Sequence, residues 1–359
     1  MIEIADIFNN YGQEYTDSHK LSTQEYKPIG AIGACRTSAL GGHVDECDEC
    51  GHLRISYNSC RNRHCPKCQS LAKEKWLDAR NRDLLPIEYY HVVFTVPNEL
   101  NDLVLRNKKE IYSMLFKTSS ETLKELSQDP KYLGTEIGFI SILHTWEQNL
   151  MDHPHVHCIV TGGGLSLDKS KWIASRKGFF IPVKVISRLF KGKFLHYLKE
   201  IYFSKKLKFV GLIRELEKYN RFQILLDKLY EKEWIVYAKK PFRRPQYVIQ
   251  YLGRYTHRIA ISNNRIIKLE NRAVTFKWRD SKDSNKNKLM TLDAFEFMRR
   301  FLLHILPRRF VKIRHYGILS NKNRKTKLKS CKELLGVARD DTDYIKEETW
   351  VEQLIRLKE

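Results

Sequence analysis

The spacing of apolar positions changes several times along the chain, and each change predicts a different element. Residues 1 to 30 read as a short helical lead-in. From 35 to 68 the periodicity fades and Cys, His, Gly and Arg dominate; such a segment needs a metal ion rather than a core in order to fold. A helix is expected from Leu71 to Leu84, stopping before Pro86. YYHVVFTVP then alternates and is rich in β-branched residues, which predicts a buried strand closed by Pro97. Residues 99 to 127 return to a helical period. IGFISILHTWE and HVHCIVTGG read as two strands, and the turn-like QNLMDHP between them predicts an antiparallel hairpin.

Residues 168 to 232 are lysine-rich and helical in pattern, as an insertion would be. EWIVYAK reads as a short strand, and PQYVIQYLGRYTHR as a helix with Pro245 suited to its first turn. RIAISNNRIIKL and RAVTFKWRD predict a hairpin turning near Asn263-Asn264. TLDAFEFMRRFLLHIL predicts an amphipathic helix capped by Thr291. No internal repeat or low-complexity linker interrupts the pattern. The expected organisation is an N-terminal metal module over 1–85, a domain of strands and helices over 86–318 with its insertion, and a basic-to-acidic tail over 319–359.

Composition narrows the partner. The 359 residues are 42% hydrophobic, enough for a real core and incompatible with wholesale disorder. Lys plus Arg outnumber Asp plus Glu by 64 to 42, a net charge of +22, which points to nucleic acid as the partner. No apolar run is long enough to span a bilayer, and MIEIADIFNN lacks the features of a signal peptide, so the expected location is the cytoplasm.

Six of the eight cysteines fall between Cys35 and Cys68. In a long chain without a signal peptide this clustering indicates metal binding rather than disulfides. Two CxxC knuckles, Cys47/Cys50 and Cys65/Cys68, are separated by 14 residues, and each can put two thiolates on one ion. They form the expected zinc site. Cys35, His43, Cys60 and His64 have the composition of a second, interleaved Cys2His2 site; His43 and His64 read equally well as solvent-facing or phosphate-contacting. Arg61 and Arg63 flank the second knuckle, where they could hold the module against a nucleic-acid backbone.

His153-Pro-His155-Val-His157 supplies a second constellation. On a strand, His155 and His157 share one face while Val156 and Cys158 take the other. Two imidazoles on one face can hold a divalent ion if a third ligand reaches them. A hairpin pairing Gln148 with His155 brings Gln148 to that face, which His144 and Trp146 share. Tyr251 and Tyr255 stand at i and i+4 of the expected helix, with Tyr247 one turn before them and Arg254 and Arg258 alongside to meet phosphate. A buried aromatic stripe has the same spacing.

At this point the sequence resembles a known family. SCRNRHCPKCQ, HVVFTVP, HTWEQN, HPHVH, YLGRYTHRIAISN and RHYG (Arg314 to Gly317) follow the order seen in the two-tyrosine HUH transposases of the insertion-sequence-ninety-one family, and span about Cys35 to Gly317. The resemblance implies an α+β palm, an antiparallel sheet with packed helices, beside a small zinc-binding domain. It implies that His155 and His157, with Gln148, hold catalytic Mg2+ or Mn2+, that Tyr251 and Tyr255 are nucleophiles, and that one or two Zn2+ are structural. The substrate would be single-stranded DNA of element ends and target. The chain departs at Glu147, a position the family usually fills with glycine. A replication initiator or relaxase shares this chemistry, although no GxxxxGK[ST] helicase motif is present. A non-catalytic zinc-dependent regulator would tolerate Phe at both tyrosines.

Overall fold

The computed structural model describes residues 2–176, 180–239, 247, 248, 251, 253, 256, 257, 260–280 and 283–337. The chain opens with α1 (Ile4–Ser18) and α2 (Thr23–Gly33). At the start of α2, Ser22 and Glu25 form a capping box, the Ser22 N–H donating to the Glu25 carboxylate at 2.9 Å. The cysteine-rich stretch then forms a two-stranded ribbon, β1 (Gly42–Glu46) with β2 (Leu53–Tyr57), followed by α3 (Pro66–Asn81). Pro66 stands in the first turn of α3, where its missing N–H costs nothing.

The next segment builds β3 (Tyr89–Thr95), α4 (Asn101–Arg106), α5 (Lys108–Gln128), β4 (Thr135–Trp146), β5 (Asp152–Ser166) and β6 (Trp172–Ala174). After it come α6 (Val183–Phe203), α7 (Tyr219–Glu231) and β7 (Val236–Lys239). The C-terminal part adds β8 (Ile266–Glu270), β9 (Ala273–Asp280), β10 (Lys286–Asp293), α8 (Ala294–Leu303), β11 (Ile313–Gly317) and α9 (Lys329–Leu334). The architecture is α+β. Its main sheet runs β11-β4-β5-β3-β7 with every pairing antiparallel, and β6 adds to β5.

The strand β5 lies between β4 and β3 and is covered on both faces, so its sequence is buried nearly throughout rather than alternating with polar residues. On one face Val156, Cys158 and Val160 meet α4 to α7 in the largest apolar cluster. The lysine-rich segment belongs to that cluster: Phe190, Phe194 and Leu198 of α6 and Phe222, Leu226 and Leu229 of α7 are fully buried, leaving the lysines outward. On the opposite face Ile140, Ile142 and Ile159 pack with Trp76 and Leu77 of α3, with Val248, and with Leu328 and Cys331 near the C-terminus. The start of the expected tail is therefore part of the core. A third cluster joins α1 and α2 to β9 and α8 through Ile4, Phe8, Ile29, Phe276, Phe297 and Phe301.

Two local expectations change. The hairpin of β8 and β9 turns at Asn271-Arg272, both at positive φ (47° and 64°), as a tight twisted turn demands, and not at Asn263-Asn264. Thr291 belongs to β10, its hydroxyl 2.8 Å from that of Thr275. The cap of α8 is Asp293, whose carboxylate accepts the Phe295 N–H at 2.8 Å. Gly317 ends β11 at φ 58°, where a Cβ would overlap the Ile137 carbonyl, so the last position of RHYG needs glycine. Among the described residues no helix is long and apolar enough to cross a membrane.

Candidate active site and zinc centre

Four sulfurs converge between α2 and α3. Cys35 follows the end of α2, Cys60 follows β2, and Cys65 and Cys68 cap and open α3. The Sγ atoms of Cys35 and Cys60 each lie 3.6 Å from that of Cys68, and all four sulfurs are within 4.8 Å of one another. Zinc–sulfur bonds of about 2.3 Å at tetrahedral angles put sulfurs about 3.8 Å apart, so the set fits one zinc ion. The Cys60 N–H points at the Cys35 sulfur and the Asn62 N–H at the Cys60 sulfur, both at 3.5 Å. Burial pushes the Cys60 thiol up to about 12 and raises that of Cys65. Burial also opposes ionisation of Cys68, but hydrogen bonds from its Cys35, Cys60 and Cys65 neighbours bring its thiol down.

This set differs from the expected one. Cys47 and Cys50 are exposed at the tip of the β1–β2 ribbon and stand outside the four-sulfur group. The knuckle at Cys65/Cys68 is completed by Cys35 and Cys60 because α2 and the start of α3 share a core, whereas the ribbon's apolar side chains are left open: Val44, Leu53 and Ile55 are each about 60% exposed. The second Cys2His2 set is not assembled either. His43 is exposed and 3.7 Å from the Asp45 carboxylate. His64 is buried, its Nε2 accepting the Leu306 N–H at 3.1 Å.

On the main sheet three imidazoles meet. His155 and His157 share a face of β5, and β4 sets His144 directly opposite His155. His155 Nε2 lies 3.0 Å from His157 Nε2 and 3.1 Å from His144 Nδ1. With metal–nitrogen bonds of about 2.1 Å, two ligands at a right angle are about 3 Å apart, so the three nitrogens fit one divalent ion. The other ring nitrogens are occupied in a consistent way. His155 Nδ1 donates to its own neighbour's carbonyl, His153 O, at 2.6 Å, and His157 Nδ1 is 2.8 Å from His91 Nε2. Burial drives His155 down to about 4 and His91 to about 3, and lowers His157 well below the ordinary histidine value. His155 and His157 are therefore neutral near pH 7, with lone pairs available.

Gln148 does not pair with His155. It is exposed in the turn between β4 and β5, and its carbonyl accepts from Arg265 at 2.6 Å. Arg300 donates to the Asn149 carbonyl and His304 to the Leu150 carbonyl, both at 3.0 Å. These contacts hold residues 147–151 as a short turn. A bulge in β5 at His153-Pro154, opposite Thr145, absorbs the proline that would break the ladder, and the register becomes His144 with His155. Glu147 is exposed, 3.7 Å from His153 Nδ1, so its carboxylate lies outside the three-imidazole group.

Tyr251 reaches this cluster. Its segment is helical at every described position from Tyr247 to Thr256 and packs through Val248 beneath the sheet. The Tyr251 hydroxyl is 3.4 Å from His91 Nδ1, and the two rings meet edge to face at 4.9 Å. Tyr247, one turn earlier, is 48% exposed and so is not part of a buried stripe. Tyr255, Arg254 and Arg258 lie outside the described residues. Arg61 is exposed and Arg63 half-buried beside the zinc cluster. His91 is the residue that sequence reasoning misses. Its signal is present in YYHVVFTVP, where alternation puts it on the face of Tyr89 and Val93.

Residues 138–327 match the family model described as "Putative transposase", and residues 7–96 match one described as "Transposase zinc-binding domain". The chain is similar to "Putative transposase y4qJ" of Sinorhizobium fredii (strain NBRC 101917 / NGR234), at 50% identity over 94% of this chain and 85% of that protein. It is also similar to "Transposase for insertion sequence element IS801" of Pseudomonas savastanoi pv. phaseolicola, at 27% identity over 83% of this chain and 71% of the relative. No solved structure matches.

Proposed function

The chain belongs to the transposase family of the insertion-sequence-ninety-one type, with that family's zinc-binding domain, and from this premise we propose that it nicks and rejoins single-stranded DNA through 5′-phosphotyrosine intermediates. The observation that carries the reading is the link from the imidazole cluster through His91 to the Tyr251 hydroxyl. Rolling-circle-like transposition follows if Tyr255 provides a second, equivalent hydroxyl, so that two strand ends can be held in turn.

His144, His155 and His157 would hold the divalent ion, Mg2+ or Mn2+ in function. When bound, that ion supplies Lewis-acid polarisation of the scissile phosphate. The chain's own groups set the proton positions. His157 Nε2 is turned to His155, so if its lone pair served as a ligand there, Nδ1 would carry the proton and donate to His91 Nε2. His91 then carries its proton on Nδ1, which faces the Tyr251 oxygen. A donor at that oxygen favours the phenolate, which is otherwise scarce because a phenol's pKa is about 10. The Tyr251 oxygen forms the bond to phosphorus, the bond from phosphorus to the 3′ oxygen breaks, and a proton is taken up to give a 3′-hydroxyl. Cys35, Cys60, Cys65 and Cys68 would hold a structural zinc ion.

The test is a denaturing gel of the protein with labelled single-stranded oligonucleotides from the element's ends. Wild-type protein should give a covalent adduct, and the variant carrying Tyr251→Phe and Tyr255→Phe should bind the strand without forming one. An adduct with the double variant would overturn the assignment.

A further inference from the structure

Where the zinc-bearing loop meets the segment after α8, the surface folds into a cavity of about 500 Å3. Lys27, Arg63, Arg308 and Arg309 line it together with Asn62 and His64, and no carboxylate is among its lining residues. None of these four cations forms an ion pair with a described residue. Glu25, the nearest acid in sequence to Lys27, is turned to the Ser22 N–H and hydroxyl. Arg63 is half-buried, and desolvation destabilises its charged form. An unpaired, partly desolvated guanidinium is costly unless an anion completes it.

The cavity is built rather than incidental. The Asn62 side chain accepts the His64 N–H at 2.8 Å, and His64 Nε2 accepts the Leu306 N–H at 3.1 Å, tying the loop to the wall opposite. The same loop hangs on the sulfur cluster at Cys60 and Cys65. Its volume exceeds that of a single oxyanion, since well over ten waters at about 30 Å3 each would fill it. A line of groups leads from it to the imidazoles. Lys312, close enough to Arg63 for the two charges to repel, has its ammonium 5.1 Å from the Trp146 ring, and that ring is 3.9 Å from the ring of His144.

We propose that this cavity is a second nucleic-acid site, which grips consecutive backbone phosphates of the strand whose neighbouring stretch enters the imidazole cluster. The proposal rests on the DNA-cutting reading above and deepens it: the zinc module acts as a phosphate clamp, not only as a folding unit. Arg63 is the partly desolvated centre, and Arg308, Arg309 and Lys27 form the outer rim.

The experiment measures noncovalent affinity for a labelled single-stranded oligonucleotide across a salt series, using full-length zinc-loaded protein with both tyrosines changed to Phe. Arg308→Gln with Arg309→Gln, both exposed, should weaken binding about ten-fold near 0.1 M salt. It should also flatten the slope of log affinity against log salt by roughly 0.7 for each phosphate that the protein no longer neutralises. Arg63→Ala should act similarly, and Arg63→Lys should recover part of the slope, which a folding defect would not do. An unchanged slope with affinity within two-fold in the double Gln protein would overturn the proposal. Equal competition by inorganic tripolyphosphate at the same phosphate concentration would also overturn it, by making the cavity a site for small phosphates. The adduct assay, run with wild-type tyrosines at saturating oligonucleotide, separates the two ideas. Normal adduct with an unchanged slope sinks the clamp alone, and a flattened slope without any adduct in the parent protein sinks the tyrosine chemistry alone.

Discussion

The sulfur cluster and the imidazole cluster of this molecule are built for different demands. The sulfur cluster offers four donors at tetrahedral spacing, and Cys35 and Cys65 are 1% exposed. A zinc ion held by all four would keep no open position, which is the mark of a structural site. The imidazole cluster offers three donors, and a fourth neighbour, His91, turns its remaining nitrogen to a tyrosine instead of to the cluster. An ion held there would keep open positions for a phosphate. The donors also sit on different supports. The sulfurs come from the ends of α2 and β2 and the start of α3, whereas the imidazoles stand on β4 and β5, paired central strands of the main sheet, where backbone pairing positions them.

The largest expected effect tests the closed cluster. Cys60→Ser should remove one of four sulfurs and release the zinc, whose contribution in small modules is roughly 10–16 kcal/mol. The helices α1 and α2 share apolar contacts with α8, so the damage should spread beyond the loop and lower the melting temperature of the whole chain. Zinc analysis and thermal melting on one preparation check it; Cys60→Ser protein with a full zinc equivalent would refute the ligand set.

The open cluster should respond in chemistry and not in fold. His157→Ala should lower cleavage by at least about 10²–10³-fold, the scale for losing a preorganised electrostatic group. Affinity for a single strand should change little, because most of it comes from Lys and Arg contacts to phosphate. Cleavage at the wild-type rate in excess Mg2+ would break the comparison by making the imidazoles a structural cluster.

The strand bearing His155 and His157 is legible in the sequence because alternation assigns faces without knowledge of the neighbours. Register is not. Pairing either Gln148 or His144 with His155 keeps the same residues on the same face, since the two registers differ by an even number of positions. The deciding contacts come from Arg265, Arg300 and His304, far along the chain, which fix the turn carbonyls. The zinc module has the same limit. A CxxC spacing says that two sulfurs can share an ion, but which other pair joins them depends on how α2 and α3 pack. β10 is hidden because LMTLD reads equally as the approach to a helix, although it alternates against β9.

A smaller effect separates orientation from ligation. His91→Ala leaves all three imidazoles of the cluster in place but removes the ring that lies 2.8 Å from His157 Nδ1 and 3.4 Å from the Tyr251 hydroxyl. Loss of such an outer partner typically costs 10–100-fold in metal affinity or activity. Mn2+ affinity by calorimetry should weaken, and the pH dependence of adduct formation should move upward, because a phenolate without its donor is harder to form. His91→Gln should restore part of both. An unaltered pH profile with His91→Ala would confine the residue to packing.

The smallest effect is expected where sequence spacing promised a large one. Cys47 and Cys50 have the same CxxC spacing as Cys65 and Cys68, yet they lie exposed at the tip of a ribbon with Asp45, Glu46, Asp48 and Glu49 around them. Hydrogen bonds from Cys50 and Glu49 lower the Cys47 thiol, which favours a reactive thiolate at the surface. Changing both to Ser should leave the zinc content at its wild-type value and alter stability by no more than about 0.5 kcal/mol, as for ordinary surface substitutions. In folded, zinc-loaded protein these two sulfurs should alkylate quickly while the four in the cluster stay protected. Peptide mapping by mass spectrometry after a short iodoacetamide pulse distinguishes the two groups. Loss of a zinc equivalent in the double Ser protein, or protection of Cys47 and Cys50 during the pulse, would mean that the ribbon carries an ion of its own and that both knuckles are closed sites.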